Sequence, residues 1–203
     1  LKELVAYRIS RENSQIGLSF ENAWNTVFVP NLCIHFGDRG RKSKPVFDFI
    51  LLNTHLRPRD VISFIKCCCT IALQHNHDYV GWKDVKNADR EFSNYFREEL
   101  EDEISPLIPD IEKVWSIITE MRKLIFSENE FVTIYNDYVT RNLIQSVSPS
   151  QILETLFNFS VLGNQHKTQE KVFFFRYQQT NMTFNRREKL VVHRGLLKSL
   201  QLI

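Results

Sequence analysis

Glycine is scarce in this chain: six occur in 203 residues, and none falls in a Gly-x-x-x-x-Gly-Lys-Ser/Thr loop. A phosphate-cradling P-loop is therefore missing, and so is a strand ending in paired acids that would hold magnesium. ATP hydrolysis by these residues alone is excluded. No serine stands in a Gly-x-Ser-x-Gly elbow, which removes that route to a nucleophile. No apolar run approaches the roughly 18 residues of a membrane span, and no basic-then-apolar leader opens the sequence. The composition thus points to a cytoplasmic chain without membrane contact. Only four cysteines occur, three of them consecutive at Cys67-Cys68-Cys69. Neighbours on a helix point in different directions, so these make a poor disulfide framework and read as reduced, partly buried thiols. His75 and His77 follow close behind. Structural zinc sites draw on two separated ligand pairs, and here there is one crowded set, so the sequence assigns no metal.

What is present is ordinary in amount and uneven in distribution. Hydrophobic residues make up 43% and charged residues 25%, as in a soluble globular protein of one large or two small domains. Net charge is +2 overall, yet residues 163–203 carry +6 and the first 162 carry −4. An acidic part followed by a basic one implies different partners for the two.

Apolar periodicity makes the first hundred residues helical. Leu1 to Ser10 and Ser19 to Val27 read as helices, the second capped by Ser19. Val46 to Leu52 is open between strand and helix. Residues 61, 64, 65, 68 and 72 form one buried helical face. A long helix is expected from about Lys83 to Ile104, ending in an acidic block at Glu98 to Glu103. Phe36 to Lys44 reads as a basic solvated loop. Ser105-Pro106 and Pro109 mark a domain boundary, because residues before proline are driven out of the helical region. The expected division is therefore 1–104 and 105–203.

Three helices with start signals follow. Asp110 opens one through Lys123, Ser127 with Glu130 forms a capping box, and Ser148-Pro149-Ser150-Gln151 forms another. The third helix is expected over Ile152 to Leu162. The period then changes: Lys171 to Tyr177 and Lys189 to His193, around a polar tip at Gln178 to Asn181, read as a β-hairpin. Three helices and a two-stranded hairpin are the layout of a winged helix, with a last short helix over Gly195 to Leu202. The fold class is accordingly mainly α with a small β-hairpin, a helical lid-like subdomain before a winged helix-like domain.

The basic side chains Lys167, Lys171, Arg176, Arg186, Arg187 and Lys189 are the candidate nucleic-acid contacts, lying over phosphates of double-stranded DNA. The helix between 152 and 162 offers only Gln151, Glu154, Thr155, Asn158 and Ser160 for base contact, with no lysine or arginine. Backbone binding is expected rather than sequence reading. A protein partner at the same basic end is the alternative, and Phe173 to Phe175 read either as buried or as partly exposed to one.

The string Thr54-His55-Leu56-Arg57-Pro58-Arg59-Asp60 puts proline at the first turn of a helix and one permanent cation on either side of it. With Ala23-Trp24 before Phe28 and Pro30, Phe47 to Leu52, the series Ala88, Phe92-Ser93, Glu98 to Leu100 and Asp102-Glu103, and Val161 to Gly163, it resembles the region after the nucleotide-binding core of bacterial P-loop ATPases of the STAND/AAA-like group. The resemblance implies that Arg57, Pro58 and Arg59 open a lid helix that meets nucleotide. It also implies ATP and magnesium held by an upstream ATPase core, since this chain lacks the motifs for them. Beginning at Leu1 inside an apolar-periodic segment fits a C-terminal piece of such a protein. Read without the resemblance, the chain is a stand-alone DNA- or protein-binding module or an oligomerisation domain, and Arg57 and Arg59 pair with Asp60 or the acids of Glu98 to Glu103.

Overall fold

The computed structural model describes residues 1–12, 18–36, 42–145, 148–170 and 172–203. Over these residues the chain is mainly α, with two small antiparallel sheets. It folds as two compact units, Leu1–Phe92 and Ser93–Ile203.

In the first unit, α1 (Lys2–Glu12) and α2 (Phe20–Asn25) precede a two-stranded sheet, β1 (Cys33–Phe36) and β2 (Lys42–Pro45), and then α3 (Val46–Leu52) and α4 (Pro58–Gln74). Ser19 caps α2 as expected, accepting from the Asn22 N–H at 3.3 Å. The basic stretch read as a loop is in part a strand: Lys42 to Pro45 pairs with Cys33 to Phe36. Residues 37–41 of that stretch lie outside the described residues. Val46–Leu52, left open by periodicity, is helical, with Pro45 at its N-cap. Rings make much of the core here. Trp24 stacks on Phe28 at 3.9 Å, Phe47 meets Trp24 edge-on, and Phe64 contacts Phe49 and Phe92. Val61, Phe64, Cys68 and Ala72 are buried on α4 as the spacing requires, whereas Ile65, expected on the same face, is half-exposed.

The helix α5 (Trp82–Ile104) contains the division between the units, at Phe92/Ser93. In the second unit it is followed by α6 (Ile111–Met121), β3 (Ile125–Phe126), α7 (Glu128–Thr140), α8 (Pro149–Asn158), β4 (Leu162–Gln165), β5 (Phe173–Phe174) and β6 (Leu190–Val192). The capping box at Ser127 and Glu130 forms with both of its hydrogen bonds. The other two expected caps differ. Asp110 turns its carboxylate to the Gln145 N–H at 3.1 Å, and Ser148 makes no side-chain cap bond while Pro149 starts the helix. Proline at the first helical position needs no amide partner, so α8 begins there without one.

The four strands lie in the order β3-β6-β4-β5, each neighbouring pair antiparallel. This corrects the expected hairpin. The segments around Phe173 and Val191 do join one sheet, but β4 lies between them and bonds to both. By periodicity β4 falls at the end of a helix and in the turn after it, because Val161 and Leu162 continue an apolar pattern that a helix and a buried strand share. The helix instead stops at Asn158, and Ser160 takes a left-handed backbone at φ 57°. The expected last helix is a 3-10 turn over Arg194–Leu196.

Candidate functional site

The site is built at the end of α8 and on the segment joining β5 to β6. On α8 the apolar residues Ile152, Leu153, Leu156 and Phe157 are buried, which leaves Gln151, Glu154 and Asn158 exposed and Thr155 half-exposed. Ser160, a candidate base contact by sequence, is instead buried, and its hydroxyl accepts the Tyr177 N–H at 2.9 Å.

A second anchor secures the returning chain. Asn164, buried on β4, donates to the Asn185 carbonyl at 2.8 Å and accepts the Asn185 N–H at 3.1 Å. One amide thus satisfies both backbone groups of the residue before Arg186. The Asn185 side chain in turn accepts the Arg187 N–H at 3.1 Å, a local turn that fixes the two arginines in sequence. Backbone packing is tight at the same place. A Cβ on Gly163 would lie 2.5 Å from the Phe174 carbonyl oxygen and 2.9 Å from the Phe175 ring, so only glycine permits the approach of β4 to β5.

Between these anchors lies a cleft of about 510 Å³, lined by Glu154 and Asn158 from α8 and by Arg176, Asn181, Phe184 and Arg186 from the connecting segment. Arg176 hydrogen-bonds to the Asn158 side chain. The fold therefore brings two of the candidate cations, Arg176 and Arg186, to the exposed face of α8. Lys167, Arg187 and Lys189 are exposed on the same unit. Lys171 lies outside the described residues. Ser160, Asn164 and Asn158 hold the site together in ways that sequence spacing does not reveal; small polar residues on an apolar background are the one signal it offers.

Behind the sheet, His193 is buried among the rings of Phe96, Phe175 and Tyr177, at 5.1 to 5.6 Å between centroids. Its Nδ1 accepts the Gly195 N–H, which assigns the ring hydrogen to Nε2. Of the three phenylalanines in series, Phe175 is buried and Phe173 and Phe174 are half-exposed. Burial raises the Tyr177 hydroxyl above its ordinary range, and a bond from Gln178 offsets part of that.

The other candidate residues lie in the first unit. Pro58 is the first residue of α4, Arg57 is its N-cap in an extended conformation, and Leu56 before it is left-handed at φ 58°. The approach to this helix is a buried polar turn: Asn53 donates to the Phe49 carbonyl at 2.8 Å, and the Thr54 hydroxyl receives the Leu56 N–H at 3.4 Å. Arg59 is about half exposed and sits 3.8 Å from Asp60, which is 2% exposed. That separation is longer than a hydrogen bond. Further along α4, burial pushes the Cys68 thiol well above its ordinary value and raises Cys67 and Cys69 as well, the acid Glu91 adding to the shift at Cys67. These thiols stay protonated, and all four cysteines are free.

Set beside known proteins, residues 1–101 match the model of the FunZ-associated C-terminal helical domain, a family described as a C-terminal part. Neither a curated protein nor a solved structure matches the chain. Among the described residues no helix is long and apolar enough to cross a membrane.

Proposed function

We propose that residues 93–203 form a winged helix-like binding domain that grips nucleic acid through its phosphates, in the C-terminal region of a larger P-loop ATPase. The observation that carries this reading is the order of elements and strands. The run α6-β3-α7-α8-β4-β6, with β6 between β3 and β4, is the order a winged helix takes, and the segment from β5 to β6 occupies the place of its wing. Arg176 and Arg186, held beside α8 by the anchors at Ser160 and Asn164, supply charge there, and Arg187, Lys189 and Lys167 are further exposed cations of the same unit. The role is one of binding, with no catalysis in these residues.

The ATPase part of the reading rests on the Arg57-Pro58-Arg59 start of α4 and on the C-terminal description of the matching family. Arg57 and Arg59 would meet nucleotide held, with magnesium, by a core elsewhere in the protein. A cytoplasmic setting accords with four free thiols.

Fluorescence anisotropy with two unrelated duplexes of about 20 base pairs, two helical turns, tests the binding. Affinity is expected to fall steeply with salt, and a variant with Arg176, Arg186 and Arg187 changed to glutamate is expected to lose it. Each phosphate contact removed lowers the salt slope by about 1. Absence of binding at low salt by the folded protein would move the basic surface to a protein partner.

A further inference from the structure

The turn between α4 and α5 gathers three metal-ligating side chains that the sequence does not place together. His75 is the C-cap of α4, His77 follows in the turn, and Asp84 stands in the first turn of α5. His77 Nδ1 lies 3.0 and 2.9 Å from the two Asp84 carboxylate oxygens. His75 Nδ1 lies 3.6 Å from the first of them. One ligand atom from each residue falls within 4.8 Å of the others. In sequence the two histidines stand nearest Cys67 to Cys69, with no second ligand set; the fold supplies Asp84 instead.

From these positions we infer that His75, His77 and Asp84 form a site for a borderline divalent transition-metal ion, zinc or cobalt in class, that staples the end of α4 to the start of α5. Ligands about 2.0 to 2.1 Å from one ion stand about 2.9 to 3.4 Å apart, from right-angled to tetrahedral arrangement. The His77–Asp84 and His75–Asp84 separations bracket that range, so a small turn of the exposed His75 ring completes the set. Two imidazoles and one carboxylate suit zinc and its neighbours, whereas calcium and magnesium take oxygen sets.

The support around the three is already built. Asp84 is 1% exposed and its Oδ2 accepts the Gly81 N–H at 2.9 Å, the kind of outer bond that orients a metal ligand. The His77 N–H bonds to the Ala72 carbonyl at 2.9 Å, Asn76 takes the left-handed backbone at φ 55°, and Val80 is tied by backbone bonds to Val27 and Val29. The turn is therefore fixed at both ends. Both histidine rings are about half exposed, and His77 and Asp84 border a shallow cleft of about 480 Å³. On binding, the ion takes the place of the hydrogen bond between His77 Nδ1 and Asp84, and the bound imidazole is neutral with its hydrogen on Nε2. The remaining coordination positions are open to water.

Isothermal titration of the chelator-treated chain with zinc, and absorption spectra with cobalt, read this directly. We expect one saturable ion per chain, a higher melting temperature with zinc than with chelator, and cobalt bands lacking a thiolate charge-transfer component. His75→Gln is the diagnostic variant, because the His75 ring is half exposed and lies farther from Asp84 than the His77 ring does. It is expected to weaken binding at least about tenfold while leaving the metal-free melting temperature unchanged. His77→Gln, also at an exposed ring, gives a second measure if His75→Gln disturbs the fold by circular dichroism. Failure of zinc to bind saturably overturns the inference. So does binding that both variants retain, or a thiolate band showing that Cys67 to Cys69 hold the ion.

Discussion

Glu130 shows how one side chain can make a helix start sensitive to acid. Its carboxyl is lowered from 4.5 to about 2, first by the bond from Lys123 and then by the Ser127 backbone and hydroxyl. A depressed folded value means that the stabilisation is fully present above about 4.5 and is lost as pH falls toward about 2. Because both partners are substantially exposed, solvent screening keeps the contribution small. Glu130→Gln is therefore expected to flatten acid unfolding across that window with little effect at neutral pH, as measured by melts at stepped pH. A variant that melts in parallel with the unaltered chain at every pH would refute the coupling. Gly163 makes the opposite kind of demand, steric rather than electrostatic. Its alanine variant must push a backbone carbonyl or a packed ring aside, and a loss of about 1–3 kcal/mol in urea unfolding is expected. A loss below about 0.5 kcal/mol, an ordinary surface effect, would mean that β4 and β5 separate easily.

At the level of elements, the segment between β5 and β6 depends on borrowed backbone partners. It is long, its own strand β5 is two residues, and its fixed points are Tyr177 on Ser160 and Asn185 on Asn164. Asn164→Ala removes two partly buried hydrogen bonds at once and strips the Asn185 N–H of its acceptor. A loss of about 1–3 kcal/mol and faster amide exchange at Asn185 are expected. Unchanged exchange there would show that the segment is held by something else. The helix α8 raises a separate expectation. With Gln151, Glu154, Thr155 and Asn158 facing out and no lysine or arginine among them, it lacks the side chain that most often reads guanine. Two unrelated duplexes should bind within about threefold of each other, a gap of well under the 1–3 kcal/mol per base that direct readout gives. A tenfold preference between them would require base contacts from outside the arginines.

For the whole molecule, charge and fold divide along different lines. The +6 of residues 163–203 lies wholly in the second unit, while the first unit and the start of the second share the −4 of residues 1–162. The acids at the end of α5 are not all solvated: Glu101 accepts the Trp115 indole N–H at 3.1 Å, a pairing that no spacing in the sequence indicates.

Helix positions were legible because their causes are local. Pro58 starts α4 where proline costs no hydrogen bond, the Ser127–Glu130 box opens α7, and the 61, 64, 68, 72 period fixes a buried face. The mainly α class followed from these, and the basic charge of residues 163–203 is read directly from their composition. The strand order was not legible, because Lys171 to Tyr177 and Lys189 to His193 look alike to any partner, and only closure of the intervening chain decides which neighbour each bonds. β4 entered between them through Gly163, whose lack of a side chain admits β5, and that contact exists only in three dimensions. The meeting of His75 and His77 with Asp84 has the same origin. Residue type and spacing could place the histidines on a helix end, but burial of the α4 and α5 apolar faces set the carboxylate beside them.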